Sequence, residues 1–125
     1  RIVDVFPPAQ QAQIRTQLSV TLQAVISQSL LARKDTAGRV AAFEVMTCTH
    51  AIRTMIREGK THSLYHDIQM GGADGMQTLD GHLLHLLRNG FIDFESAVAK
   101  CSNVAEFTAR ASKENLVTET ANATN

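Results

Sequence analysis

THAIRTMIREGK, residues 49–60, carries its own boundaries. Thr49 can cap a first turn by accepting a hydrogen bond from an orphan backbone N–H. Gly59 can close a last turn in the left-handed conformation that a β-carbon penalises. Between them Ile52, Met55 and Ile56 recur at helical spacing and share one face. Arg53 and Arg57 stand four apart on a neighbouring face, with Glu58 beside them. On spacing alone the stretch is an amphipathic helix with a core stripe and a solvated basic edge, both arginines more exposed than the isoleucines.

Upstream of this helix the period changes. Val25–Arg33 and Arg39–Met46 are rich in β-branched and aliphatic residues, and the second alternates Ala41, Phe43, Val45 against Val40, Ala42, Glu44. Lys34–Gly38 between them is polar and contains glycine, which predicts a β-hairpin. A two-stranded hairpin is marginal alone, so it must pack on helices or extend a larger sheet. Further upstream, Pro7-Pro8 ends the apolar run Ile2–Phe6, a strand or a last helical turn. A helix is expected from about Ala9, with Pro8 in its first turn, Ile14, Leu18 and Leu22 as its stripe, and glutamines on its wet face. The opening on Arg1, directly into IVDVF, is the pattern expected of a chain that starts inside a larger protein.

Downstream, a short helix is expected near Thr61–Met70, stopped by Gly71-Gly72, with GGADG (71–75) as a tight loop. A longer helix should span about Gln77–Asn89 with Leu79, Leu83, Leu86 and Leu87 inward. Asp93 should cap a helix carrying Ala97, Val98 and Cys101. Ser102 or Asn103 should cap the last one, where Asn103 and Glu106 approximate a capping box and Val104, Phe107 and Ala111 form the stripe. Residues 113–125 are Thr/Asn/Glu-rich with little to bury, and a disordered polar tail is expected there.

Composition excludes several function classes. At 125 residues the chain is one small domain at most. Twelve basic and twelve acidic side chains cancel, leaving no global field to attract nucleic acid or an anionic membrane. No apolar run reaches membrane-spanning length. Cys48 and Cys101 form no CxxC, and two reduced thiols are expected. GGADG lacks the Gly-Lys-Ser/Thr ending of a phosphate loop and does not follow a strand. His62 with His66 and His82 with His85 have ligand-like spacings, but no third and fourth ligands accompany them, so no metal is expected. Cys48 precedes a helix N-terminus with His50 nearby, an arrangement that can activate a thiol; without an orienting acid it reads as a structural cysteine.

The string AIRTMIRE, residues 51–58, resembles the AIRNLIRE box of the PilT-type ATPases, the motors that retract type IV pili. It matches at six of eight positions, Thr54 and Met55 being the departures. The likeness extends outward. RIVDVFPP with QQAQIRTQLSVTLQAVISQSLL resembles the segment after the family's His box, ARKDTAGRVAAFEVM its hairpin, and GMQTLDGHLLHLLRNGFI the helix after the box. It runs from Arg1 to about Arg110, with His50 and Val104 standing where the family commonly has proline.

The resemblance implies an α+β, mostly α fold: a β-hairpin plus about five helices, the C-terminal part of a RecA-like P-loop ATPase core over residues 1–112. The family's Walker A, Asp box, Walker B and His box match no position here, so no catalytic residue is expected in the segment. Its implied site is the coupling motif Ala51, Ile52, Arg53, Thr54, Met55, Ile56, Arg57 and Glu58. For the parent the resemblance implies ATP and Mg²⁺, a homo-hexamer, an inner-membrane platform protein as partner, and a cytoplasmic place at the inner face of the bacterial inner membrane. It implies no nucleic acid. Related extension and secretion ATPases usually carry a tetracysteine zinc site, so the lack of CxxC favours the retraction branch. The alternatives are a non-enzymatic helical interaction module or a fragment of a related secretion-system ATPase.

Overall fold

The computed structural model describes residues 2–117. Among them lie a two-stranded sheet and six α-helices: α1 (Pro8–Thr21), β1 (Ala24–Ala32), β2 (Arg39–Thr47), α2 (His50–Glu58), α3 (Leu64–Met70), α4 (Leu79–Arg88), α5 (Phe94–Lys100) and α6 (Val104–Lys113). The α+β, mostly helical class expected from sequence is the one that forms. Backbone bonds from Cys48 N to Gln23 O and from Arg33 N to Gly38 O hold both ends of the hairpin in one register, with no net insertion in either strand. Among the described residues two compact units form, one from 2–27 with Glu44–Thr78 and one from Gln28–Phe43 with 79–117.

In the first unit, Ile2–Phe6 forms neither strand nor α-helix but a short 3₁₀ turn at Val3–Val5. α1 follows with Pro8 in its first turn, where the missing N–H costs nothing. Ile14, Leu18 and Leu22 are half-buried, whereas Ser19 beside them is wholly buried and donates its hydroxyl to Thr16 O at 2.6 Å. The core consists of Met46, Ile52, Ile68 and Met76, with Leu22, Cys48, Ile56 and Leu64 packed on it. Residues 61–63 wind as a 3₁₀ turn before α3, tighter than the continuous helix the spacing suggests. GGADG is the tight connector expected. A β-carbon at Gly71 would meet Asp67 O and the Met76 thioether at 2.9 Å, so only glycine lets Met76 fold beneath the loop. Gln77 exchanges backbone hydrogen bonds with Val45 at 2.9 and 3.0 Å, which keeps it extended. α4 therefore starts at Leu79 and not at Gln77.

The second unit is built on α4. Leu83, Leu84, Leu86 and Leu87 join Leu31 and Ala42 of the hairpin, Ile92, Ala97, Phe107 and Ala111 in one core. Asp80 is buried, and its carboxylate accepts from the backbone N–H groups of Ser102 (2.7 Å) and Asn103 (3.1 Å). It thereby satisfies donors at the entrance to α6. Asn103 caps α6 as expected by accepting from Glu106 N. Val104 departs from its expected stripe. As the first helical residue it is 51 % exposed, and Phe107 and Ala111 alone make the buried face. The hairpin tip is tied down by Lys34 N donating to Phe91 O at 2.8 Å and by the Arg33 guanidinium over the Phe91 ring. Leu116 and Val117 pack against this core, so the stretch expected as a tail has packed residues up to Val117; residues 118–125 lie outside the described ones.

Candidate functional site

α2 begins and ends where its residue types dictate. Thr49 Oγ1 accepts from Ile52 N at 3.4 Å, and Gly59 takes φ +72°. Gly59 N donates to Ile56 O and Lys60 N to Met55 O, the paired bonds of a Schellman closure. Ile52 is wholly buried, while Met55 and Ile56 are half-buried on the same side. Ala51, Arg57 and Glu58 are exposed, with Glu58 3.2 Å from Lys60 Nζ. Thr54 is half-buried and returns its hydroxyl to His50 O, a bond within the helix.

Arg53 departs from the exposed position expected for both arginines. It is half-buried, and its Nη1 donates to the Ser19 carbonyl at 2.7 Å. Ser19 lies in the last turn of α1, where carbonyl groups lack intrahelical partners and the helix dipole presents negative charge. Ser19 is small enough to let α2 approach. The two arginines of the box thus divide: Arg53 binds within its own unit, and Arg57 faces solvent.

The other chemical candidates fall into place as structure. Burial pushes the Cys48 thiol up from its ordinary pKa, partly offset by the nearby Arg53 charge, which is the opposite of an activated nucleophile. Burial, and then the Asp80 charge, raise Cys101 as well, and both cysteines are free. His85 is exposed, but His82 is half-buried and its Nδ1 accepts the Phe43 N–H at 2.8 Å. That role was not legible from the His82/His85 spacing. His62 and His66 are both exposed. Among the described residues no group of three His, Cys, Asp or Glu side chains could hold a metal ion. A cavity of about 280 Å³ lies between the strand residues Val25, Ser27, Glu44 and Met46 and the α3 residues Leu64, Tyr65 and Ile68. Its lining offers one carboxylate, Glu44, and the hydroxyls of Ser27 and Tyr65. The box leaves an exposed edge, Arg57 beside the Glu58–Lys60 ion pair, on a helix fixed by burial and by Arg53. Such an edge can form charge-assisted contacts with another surface.

No protein-family model matches the chain. Its sequence is 51 % identical to the type IV pilus retraction ATPase PilT of Pseudomonas aeruginosa over 100 residues, which are 80 % of this chain and 29 % of that protein. It is 45 % identical to a twitching motility protein of Neisseria gonorrhoeae, over 82 % of this chain and 28 % of that one. The chain thus spans under a third of the length of the curated relatives it matches. Among solved structures, the pilus retraction motor PilT with bound ADP superposes with a TM-score of 0.74 at 40 % identity, covering 85 % of this chain and 29 % of that one. The ATPase DotB of Legionella pneumophila, at 18 % identity and a TM-score of 0.62, shares the fold. On sequence and fold together, the chain is similar to a C-terminal portion of the PilT-type ATPases.

Proposed function

We propose that this chain is the C-terminal part of a hexameric motor that spends ATP to extract pilins and retract a type IV pilus, and that α2 couples the nucleotide state to that movement. The reading rests above all on the likeness to the pilus retraction motor PilT, in which sequence and fold agree over most of this chain. The burial pattern of α2 supports the coupling role: its stripe is fixed in a core, while Arg57 and the Glu58–Lys60 ion pair stay exposed to a neighbouring surface. A contact made in one nucleotide state and broken in another is enough to move a domain.

Nucleotide chemistry belongs to other parts of the motor. GGADG lacks the Gly-Lys-Ser/Thr ending of a phosphate loop, and its Gly71 is packed against Met76 and Asp67 O. ATP and Mg²⁺ are cofactors of the parent, its partners are further copies of itself and an inner-membrane platform protein, and its place is the cytoplasmic face of that membrane. Among the described residues no helix is long and apolar enough to cross a membrane.

The test is a chimera. The segment of Pseudomonas aeruginosa PilT that matches this chain is replaced by it, and twitching motility is scored in cells lacking their own PilT. Restored twitching is expected. A chimera that folds and hydrolyses ATP but leaves the cells immobile overturns the reading.

A further inference from the structure

Arg53 is one half of a reciprocal arrangement. Its counterpart is Arg15 of α1, which lies over Gly59 at the end of α2. A β-carbon built on Gly59 would stand 3.5 Å from both Cδ and Nε of Arg15 and 3.8 Å from Cζ. Arg15 is half-buried, and its Nε is shut off from solvent without a hydrogen-bond partner among the described residues. α2 therefore lends a cation from its first turn to the carbonyl end of α1, while α1 lends one to the carbonyl end of α2. The helices run antiparallel, and each guanidinium sits at the negative end of the other helix's dipole. Gly59 is needed for its positive φ, and Arg15 lies within van der Waals reach of it.

We infer that the coupling element is the α1–α2 pair and that Arg15 is its positioning residue. The inference rests on the reading of α2 as the coupling helix. Arg15 lies against Gly59. It acts through Gly59, which closes α2 directly after Arg57 and Glu58, so holding that last turn holds the direction in which the two charges point. With a cation at each end, α2 cannot slide or turn without carrying α1 or separating a charge from its carbonyl end. The pair moves as one lever.

The test uses the full-length motor carrying Arg15→Met, Arg15→Gln, Arg15→Lys or Arg57→Ala, with three readouts: twitching, ATP turnover of the purified motor, and thermal unfolding. Arg15→Met and Arg15→Gln are expected to keep ATP turnover and lose twitching. Arg15→Lys keeps a charge at the α2 terminus and is expected to keep both. Arg57→Ala is expected to lose twitching. If Arg57→Ala twitches normally, the coupling role of α2 fails and this inference fails with it. If Arg57→Ala is immobile while Arg15→Met and Arg15→Gln twitch, the inference alone is overturned. It is also overturned if both neutral variants fail to fold, or if twitching and ATP turnover fall together in step with melting temperature, because Arg15 is then scaffold.

Discussion

At the residue scale, the two arginines of AIRTMIRE show what spacing can and cannot reveal. Four-residue spacing put them on one edge of a helix, and that is where they lie. Spacing could not show that a carbonyl 34 residues earlier would meet one of them. The signal available was indirect: a serine inside the α1 stripe, at a place where a larger side chain would hold a second helix away. The two side chains should behave differently on truncation. Arg53→Ala removes a charge-assisted bond to a backbone carbonyl, for which about 1–2 kcal/mol of stability is expected after allowing for partial exposure. Arg57→Ala removes an exposed side chain, and a change below about 0.5 kcal/mol is expected. Urea unfolding of both variants checks this, and equal losses would mean that the Ser19 contact contributes nothing to stability.

At the element scale, punctuation was the most legible feature. Thr49, Gly59, Asp93 and Asn103 each cap the helix they were expected to cap, because capping depends on a side chain and a backbone group only a few residues apart. Contacts between elements were not legible. Gln77 is extended because β2 pairs with it, and Asp80 is buried because the entrance to α6 needs an acceptor. His82 is the clearest case, linking α4 to β2 through the Phe43 N–H. As the acceptor, Nδ1 must be unprotonated. Burial, and then the charge of nearby His85, lower the His82 pKa, and the N–H donated to Nδ1 favours the same neutral form. The sign follows: the unfolded chain takes up this proton first, at about pH 6.5. The contribution to stability is thus fully present above that pH and is lost as pH falls through the lower folded-state value. Melting temperature measured against pH should decline below about pH 6.5, and His82→Gln, which cannot titrate, should flatten that part of the curve. An unchanged slope in the variant would show that the latch does not respond to protons.

At the scale of the whole molecule, the hairpin decides how the isolated chain behaves. Alternation on either side of a polar, Gly-containing loop made it legible, and its marginal stability alone raised the question of what it pairs with. Among the described residues β1 has β2 as its one strand neighbour, and it carries Val25, Ile26 and Leu30 exposed, Ile26 to 65 %. A nine-residue strand with a free edge and apolar side chains is a template for another strand. In the motor proposed above, the rest of the sheet supplies that neighbour. In the isolated chain a second copy is the nearest substitute, and a formal net charge of zero at pH 7 gives the copies no repulsion to overcome. The purified 125-residue chain should therefore associate as its concentration rises. Ile26→Lys, which places a charge on the exposed face of β1, should suppress this without disturbing the buried cores. Light scattering over a concentration series, with both proteins melted in parallel, provides the measurement. A wild-type chain that stays monomeric at high concentration and melts cooperatively would show that the hairpin is complete as it stands, and the case for a missing neighbouring strand would fall.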